Sequence, residues 1–295
     1  MSVTPVSDCV WAVGAELGEG PIWREEERAV YFVDIKGRKV HSLFVESGKK
    51  NSWAMPDQPG FIAPLKDGNL ICGLPGGLYR LDTRSGEVAK KVEVEGSIEG
   101  NRLNDGHVDS RGRLWFGSMH DGESERSGSL YRLCDDRGLT VQDDGYVITN
   151  GPAISPDGHT LYHADTLKRI VYAFDLNDAG VLSRKRPFVQ IEGTGFPDGM
   201  AVDADGFVWV AMYGGWRIDR YSPDSELIDT VRLPCANVTK LAFGGNDLRD
   251  VYVTTAWKGL TSVERSGQPL AGALFSFRSQ KPGMPQNLCT VECLL

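Results

Sequence analysis

Long apolar runs are missing from this sequence. No segment approaches the ~18 apolar residues of a membrane span, and the opening Met1-Ser2-Val3-Thr4-Pro5-Val6 lacks the positive start and apolar run of a signal peptide. A positive balance is missing too: 40 Asp and Glu outnumber 32 Lys and Arg, for a formal net charge of −8. With no diffuse positive field to attract phosphate backbones or anionic lipid, neither nucleic acid nor a membrane is expected as a partner. The cysteines, at positions 9, 72, 134, 235, 289 and 293, form no Cys-x-x-Cys pair. They read as scattered reduced thiols rather than a disulfide framework or zinc site. The expectation is a soluble cytoplasmic protein, monomeric or a small homo-oligomer.

Several chemistries are missing as well. Apolar residues almost nowhere recur at helical spacing, so no helix stands behind a phosphate-binding glycine loop. No Gly-x-Ser-x-Gly elbow occurs, which argues against a serine hydrolase. His159 and His163 are four residues apart but on a predicted strand, where that spacing spans ~13 Å, so they cannot share a metal. The one basic run, Arg184-Lys185-Arg186, reads as a solvated hairpin tip.

What the sequence has in excess is glycine: 35 of 295 residues, or about 12%, against roughly 7% in average proteins. Turn signals such as Lys66-Asp67-Gly68-Asn69, Ser155-Pro156-Asp157-Gly158 and Asp203-Ala204-Asp205-Gly206 are each followed by a β-branched, aliphatic or aromatic pair. These pairs, Val30-Tyr31, Leu70-Ile71, Leu114-Trp115, Leu161-Tyr162, Val208-Trp209 and Val251-Tyr252, are spaced by 40, 44, 47, 47 and 43 residues. A second anchor follows each: Val40-His41, Leu78-Tyr79, Leu130-Tyr131, Val171-Tyr172, Ile218-Asp219 and Leu274-Phe275.

Two anchored strands per copy, an apolar strand before and a variable one after, make a four-stranded antiparallel sheet of propeller-blade size. An irregular β-sandwich would not require this register. The sequence therefore predicts an all-β six-bladed propeller, one domain over residues 1–295. The stretch from Cys9 to Val13 completes the last blade and closes the ring, because the chain runs out after Thr290-Val291-Glu292. The aromatic residues of the register pairs are read as packing between blades.

In a propeller the innermost strand of every blade begins beside the central channel. Ten to twelve residues before the register pairs stand Glu19-Gly20, Pro59-Gly60, Asn104-Asp105-Gly106, Asn150-Gly151, Asp198-Gly199 and Thr239-Lys240. Singly, these are turn dipeptides. Together they ring one channel mouth with carboxylates, amides and a lysine. Carboxylates brought close resist ionisation unless a cation is present. Glu19, Asn150 and Asp198 supply hard oxygen ligands for one divalent cation: Ca²⁺, Mg²⁺ or Mn²⁺ by preference, Zn²⁺ or Fe²⁺ also being accepted by carboxylates. Three protein ligands leave positions open for water and substrate.

Leu17-Gly18-Glu19-Gly20-Pro21-Ile22-Trp23, Asn101-Arg102-Leu103-Asn104-Asp105-Gly106, Thr149-Asn150-Gly151-Pro152, Pro197-Asp198-Gly199-Met200 and Pro269-Leu270-Ala271-Gly272 together resemble the gluconolactonase and senescence-marker protein (regucalcin) family. The match runs in order along nearly the whole chain. It looks closest to the bacterial sugar-acid lactonases that act on pentonolactones such as xylonolactone. The resemblance implies a six-bladed propeller with one divalent cation held by residues matching Glu19, Asn150 and Asp198. It further implies that Arg102 and Asn104 hold lactone hydroxyls and that Asp198 is the general base. The sequence departs from the animal regucalcin pattern where His120-Asp121-Gly122-Glu123 replaces the family's acidic pair at the substrate lid.

The function expected is metal-dependent hydrolysis of a sugar 1,4- or 1,5-lactone to the open sugar acid. The substrate would be an aldonolactone, xylonolactone, arabinonolactone or gluconolactone. The rival readings are a calcium-binding regulator, a metal-dependent organophosphate or aryl-ester hydrolase, and a non-catalytic interaction scaffold.

Overall fold

The computed structural model describes residues 3–5 and 8–295. Among these, 25 strands form six sheets, with one short α-helix at Ser262–Gly267 and a 3₁₀ turn at Glu292–Leu294. The first two strands are β1 (Val3–Pro5) and β2 (Asp8–Trp11). Blade 1 holds β3 (Gly18–Arg24), β4 (Ala29–Asp34), β5 (Lys39–Phe44) and β6 (Lys50–Ala54). Blade 2 holds β7 (Phe61–Pro64), β8 (Leu70–Leu74), β9 (Gly77–Leu81) and β10 (Val88–Glu93). Blade 3 holds β11 (Asn101–Val108), β12 (Leu114–His120), β13 (Gly128–Cys134) and β14 (Gly138–Tyr146). Blade 4 holds β15 (Thr149–Ile154), β16 (Thr160–Asp165), β17 (Ile170–Leu176) and β18 (Leu182–Gln190). Blade 5 holds β19 (Phe196–Val202), β20 (Val208–Tyr213), β21 (Arg217–Tyr221) and β22 (Leu227–Arg232). Blade 6 holds β23 (Asn237–Gly244), β24 (Asp250–Ala256) and β25 (Leu274–Arg278). The predicted closure is present: β2 pairs antiparallel with β25 as the fourth strand of blade 6. β1 adds a parallel fifth strand to blade 5 along β22.

Every register pair lies in the second strand of its blade and every second anchor in the third. The physical reason is the two-residue period of a strand, which sends adjacent side chains to opposite faces of the sheet. Val30 packs against blade 6 with Tyr252 and Leu274, while Tyr31 packs toward blade 2 with Ile62 and Leu70. Leu114 likewise packs among residues of blade 2, and Trp115 among those of blade 4. In all six blades the first residue of the pair joins the core shared with the preceding blade and the second the core shared with the following one. The hydrophobic core is thus six interfaces arranged in a ring. Truncating one of its Trp or Phe side chains to alanine costs about 3–5 kcal/mol. The turn aspartates lock two of these tryptophans in place: Asp109 Oδ2 accepts from Trp115 Nε1 at 2.8 Å and Asp203 Oδ2 from Trp209 Nε1 at 3.0 Å.

Two expectations are corrected. Arg184, Lys185 and Arg186 lie within β18, the outermost strand of blade 4, rather than at a hairpin tip. Lys185 pairs with Asp143 over the rings of Tyr146 and Tyr172, and Arg184 and Arg186 pair with Asp175. An outer strand is solvated enough to carry three cations when acidic neighbours face them. The carboxyl-terminal segment also does more than run out. It leaves blade 6 after Arg278 and crosses the far end of the channel. On the way Gly283 N–H donates to Leu248 O, Asn287 Nδ2 to Val108 O, Cys289 N–H to Pro64 O and Glu292 N–H to Asp135 Oδ1. Val291 and Leu294 then bury themselves between blades 2 and 3.

The candidate site in the channel

Five of the six innermost strands shift register against their second strand: at Glu19/Ile22, Leu103/Gly106, Asn150/Ala153, Pro197/Met200 and Val238/Lys240. Each of these bulges falls on the channel position read from the sequence. A bulge breaks the pleat and re-aims a side chain. This is how Glu19, Asn104, Asn150 and Asp198, from blades 1, 3, 4 and 5, come to line one cavity of about 180 Å³. The glycines beside them serve two needs. Gly20 and Gly151 hold φ of +54° and +71°, the left-handed region. Gly60 has no such φ; a Cβ there would sit 2.0 Å from Leu103 O.

All the predicted site residues are buried: Glu19, Arg102, Asn104, Asn150 and Asp198 are each at most 8% exposed. The Glu19 and Asp198 carboxyls lie close enough to share a hydrogen bond. Burial, and then the charge of Asp105, push the Glu19 pKa up to about 7. Burial, followed by the charges of Glu19 and Asp105, raises Asp198 well above the usual carboxylate range. Asn150 is oriented by a relay. Thr166 Oγ1 donates its proton to Pro197 O at 2.9 Å, so it accepts from Asn150 Nδ2 at 2.9 Å, which turns Asn150 Oδ1 toward Asn104 and the cavity. Two carboxyls that resist joint ionisation, beside an amide oxygen fixed inward, form a donor set that fits one hard divalent cation. Among the described residues no group of three or more His, Cys, Asp or Glu side chains is arranged to hold a metal. The candidate set has two carboxylates and an amide.

Arg102 Nε donates to Asp121 Oδ1 at 2.7 Å, and its Nη1 donates to Asn104 Oδ1 at 2.6 Å. Asn104 Nδ2 donates to Thr149 O at 2.6 Å and Asn150 Oδ1 at 3.0 Å. The substituted segment from His120 to Glu123 therefore joins the site. Burial alone would raise the Asp121 carboxyl, but Lys36 and Arg102 beside it hold it well below the usual range. Glu123 pairs with Lys258, which reaches over from blade 6.

Asp105 departs from the ring picture. It does not line this cavity; its carboxylate accepts from the N–H groups of Gly106 and Gly151 and pairs with Lys240. Two ion pairs thus join opposite blades 3 and 6, Lys258 with Glu123 at the mouth and Lys240 with Asp105 at the floor. Sequence spacing missed Thr166, Lys258 and the floor pair. Of these, Asp105 and Lys240 left a signal, as charged residues at channel positions; their pairing did not.

The fold and site define a six-bladed propeller with buried carboxylates and amides at one end of its channel. Residues 17–257 match the SMP-30/gluconolactonase/LRE-like region, and the chain belongs to this family. It is 32% identical over 283 residues to a 6-deoxy-6-sulfogluconolactonase of Pseudomonas putida, covering 95% of this chain and 97% of that protein. It is 36% identical over 275 residues to an L-arabinolactonase of Azospirillum brasilense, covering 91% and 90%. A calcium-binding protein, regucalcin, from Agrobacterium tumefaciens superposes with a TM-score of 0.94 at 28% identity, covering 99% of this chain and 100% of that one. No helix among the described residues is long and apolar enough to cross a membrane.

Proposed function

We propose that the chain hydrolyses a monocyclic sugar lactone, a pentonolactone or gluconolactone, to its open acid at the Glu19, Asn150 and Asp198 end of the channel. Lactone hydrolysis is the reaction class to which its family and the names of its relatives point. The observation that carries the reading is the convergence of five buried polar side chains from three neighbouring blades and one opposite them on a single cavity. At about 180 Å³, that cavity is smaller than the ~300–1,000 Å³ of sites for drug-sized ligands. It suits one sugar ring and rejects an oligosaccharide.

Glu19, Asn150 and Asp198 would hold the divalent cation, which when bound supplies a Lewis acid for the lactone carbonyl. Asp198, ionised, takes a proton from the water that attacks the carbonyl carbon. As the ring C–O bond breaks, the same carboxyl returns the proton to the departing ring oxygen. Arg102 keeps Nη2 available for a substrate oxygen because its Nε and Nη1 are already engaged. Asn104 has used both amide hydrogens and keeps one Oδ1 lone pair, so it positions Arg102 and Asn150 and accepts from at most one hydroxyl.

Leu17, Ile35, Met119, Ile148, Leu167 and Phe196 line much of the remaining wall, beside Tyr213 and the Glu123 and Lys258 pair. This apolar share supports a second reading, an aryl-ester hydrolase. A panel of aldonolactones and aryl esters, run against spontaneous hydrolysis on chelated protein reloaded with Ca²⁺, Mg²⁺, Mn²⁺, Zn²⁺ or Fe²⁺, separates the readings. Restored lactone turnover supports the lactonase. Ester turnover alone replaces it with the second reading, and tight cation binding without turnover of either replaces it with a regulator.

A further inference from the structure

Three carboxyls are buried around the channel centre, Glu19 and Asp198 at the cavity and Asp105 at its floor, at 5%, 6% and 1% exposure, and the charge of Asp105 is felt by the other two. They come from blades 1, 3 and 5, so every second blade supplies one. Among the described residues, the one cation paired with a member of this group is Lys240 of blade 6, itself 7% exposed, whose Nζ pairs with Asp105 and lies 3.4 Å from Gly106 O. The other cations near the cavity are answered at the rim: Arg102 and Lys36 by Asp121, Lys258 by Glu123. With all three carboxyls ionised, as a bound cation would hold them, the charges at the centre sum to minus three plus one. A buried group of net charge minus two is costly by itself and is matched by one divalent ion.

We infer that Lys240 is a positioning residue that sets the charge of this site, making it fit a cation of charge two rather than three. The inference rests on the reading of Glu19, Asn150 and Asp198 as cation ligands. Lys240 is not itself a ligand. It acts from the floor through Asp105, whose other oxygen is fixed by the Gly151 N–H at 3.0 Å, next to Asn150.

The test is the affinity of the purified full-length chain for La³⁺ and Ca²⁺, measured by calorimetry on metal-stripped protein. Lys240→Met removes the positive charge at similar length and leaves minus three; Asp105→Asn leaves minus one. The La³⁺-to-Ca²⁺ affinity ratio is expected to rise about tenfold or more in the first and to fall by a similar factor in the second, as a buried unit charge acting on one extra ionic charge would give. The double variant, again minus two, is expected to return to the ratio of the parent. Damage to the site's shape alone would move both single variants the same way, and that result overturns the inference. An unchanged ratio in both also overturns it while leaving the cation site standing. If the parent binds neither ion, the cation reading itself fails, and the inference with it. Should Lys240→Met not fold, Asp105→Asn and the double variant carry the same comparison, because neither buries an added unpaired carboxylate.

Discussion

The channel has two ends built by the same six strands, and they differ in nearly every respect. At the entry end, β3, β11, β15 and β19 present Glu19, Asn104, Asn150 and Asp198 to a cavity of about 180 Å³. A few residues further along, the same strands present Ile22, Val108, Ile154 and Met200 to a larger one of about 260 Å³, stoppered by Met284, Pro285, Gln286 and Asn287 of the carboxyl-terminal segment. Between them lies the Lys240 and Asp105 pair. The larger cavity is lined mainly by aliphatic side chains; burial holds the pKa of its His107 down to about 4, so that imidazole is neutral near pH 7. The cavity proposed for lactone hydrolysis is therefore the smaller of the two. Bulges aim charged and amide side chains into the smaller cavity, and the regular pleat returns aliphatic ones to the larger.

The sharpest way to break that contrast is at Asp198. Asp198→Ala is expected to lower lactone turnover by about 10²–10⁴-fold, the range for loss of a general base, with an unchanged circular-dichroism spectrum; near-parental turnover would remove Asp198 from the mechanism. The far end should respond in the opposite manner. Leu294→Ala, at a fully buried position between blades 2 and 3, is expected to cost about 2–5 kcal/mol in denaturant unfolding while kcat per folded molecule stays unchanged. A large loss of kcat there would mean that the two ends are coupled.

Arg102→Met is expected to lower kcat/KM by about 10–100-fold, as loss of one or two charge-assisted hydrogen bonds implies. Its melting temperature should fall only modestly, because Asp121 keeps Lys36. The smallest effect is on stability against pH. Glu19 is raised from 4.5 to about 7 in the folded chain, so the folded state holds its proton more tightly than the unfolded state. Its contribution is present below pH 4.5 and is lost as pH rises through about 7. Metal-stripped protein should therefore lose melting temperature across that window, and Glu19→Gln should lose a few degrees less. Calorimetric scans of both proteins at several pH values check this, and equal losses would show that burial of Glu19 carries no such penalty.

Much of the molecule was legible in order along the chain because a propeller blade is a local unit. The pair Val208-Trp209 states, within two residues, which core each neighbour shares, since strand alternation leaves no other arrangement. Glu19, Asn150 and Asp198 were legible for the same reason: equal positions in repeated units converge. The strand at Arg184 to Arg186 was misread because its counter-charges, Asp143 and Asp175, are set by pairing across β17 and by the neighbouring blade.

The sequence by itself determined the number of blades, the two cores each blade serves and the ring of polar residues at one channel mouth, because all three follow from alternation within a strand and repetition between strands. Only the tertiary structure decided which of those polar residues act together. Asp105 stands beside Asn104 in sequence, yet one turns down to Lys240, 135 residues away, and the other holds Arg102 and Asn150. Asn150 presents its oxygen only because Thr166 answers to Pro197. Such choices depend on hydrogen-bond partners in other blades, brought near by ring closure, and no local period encodes them.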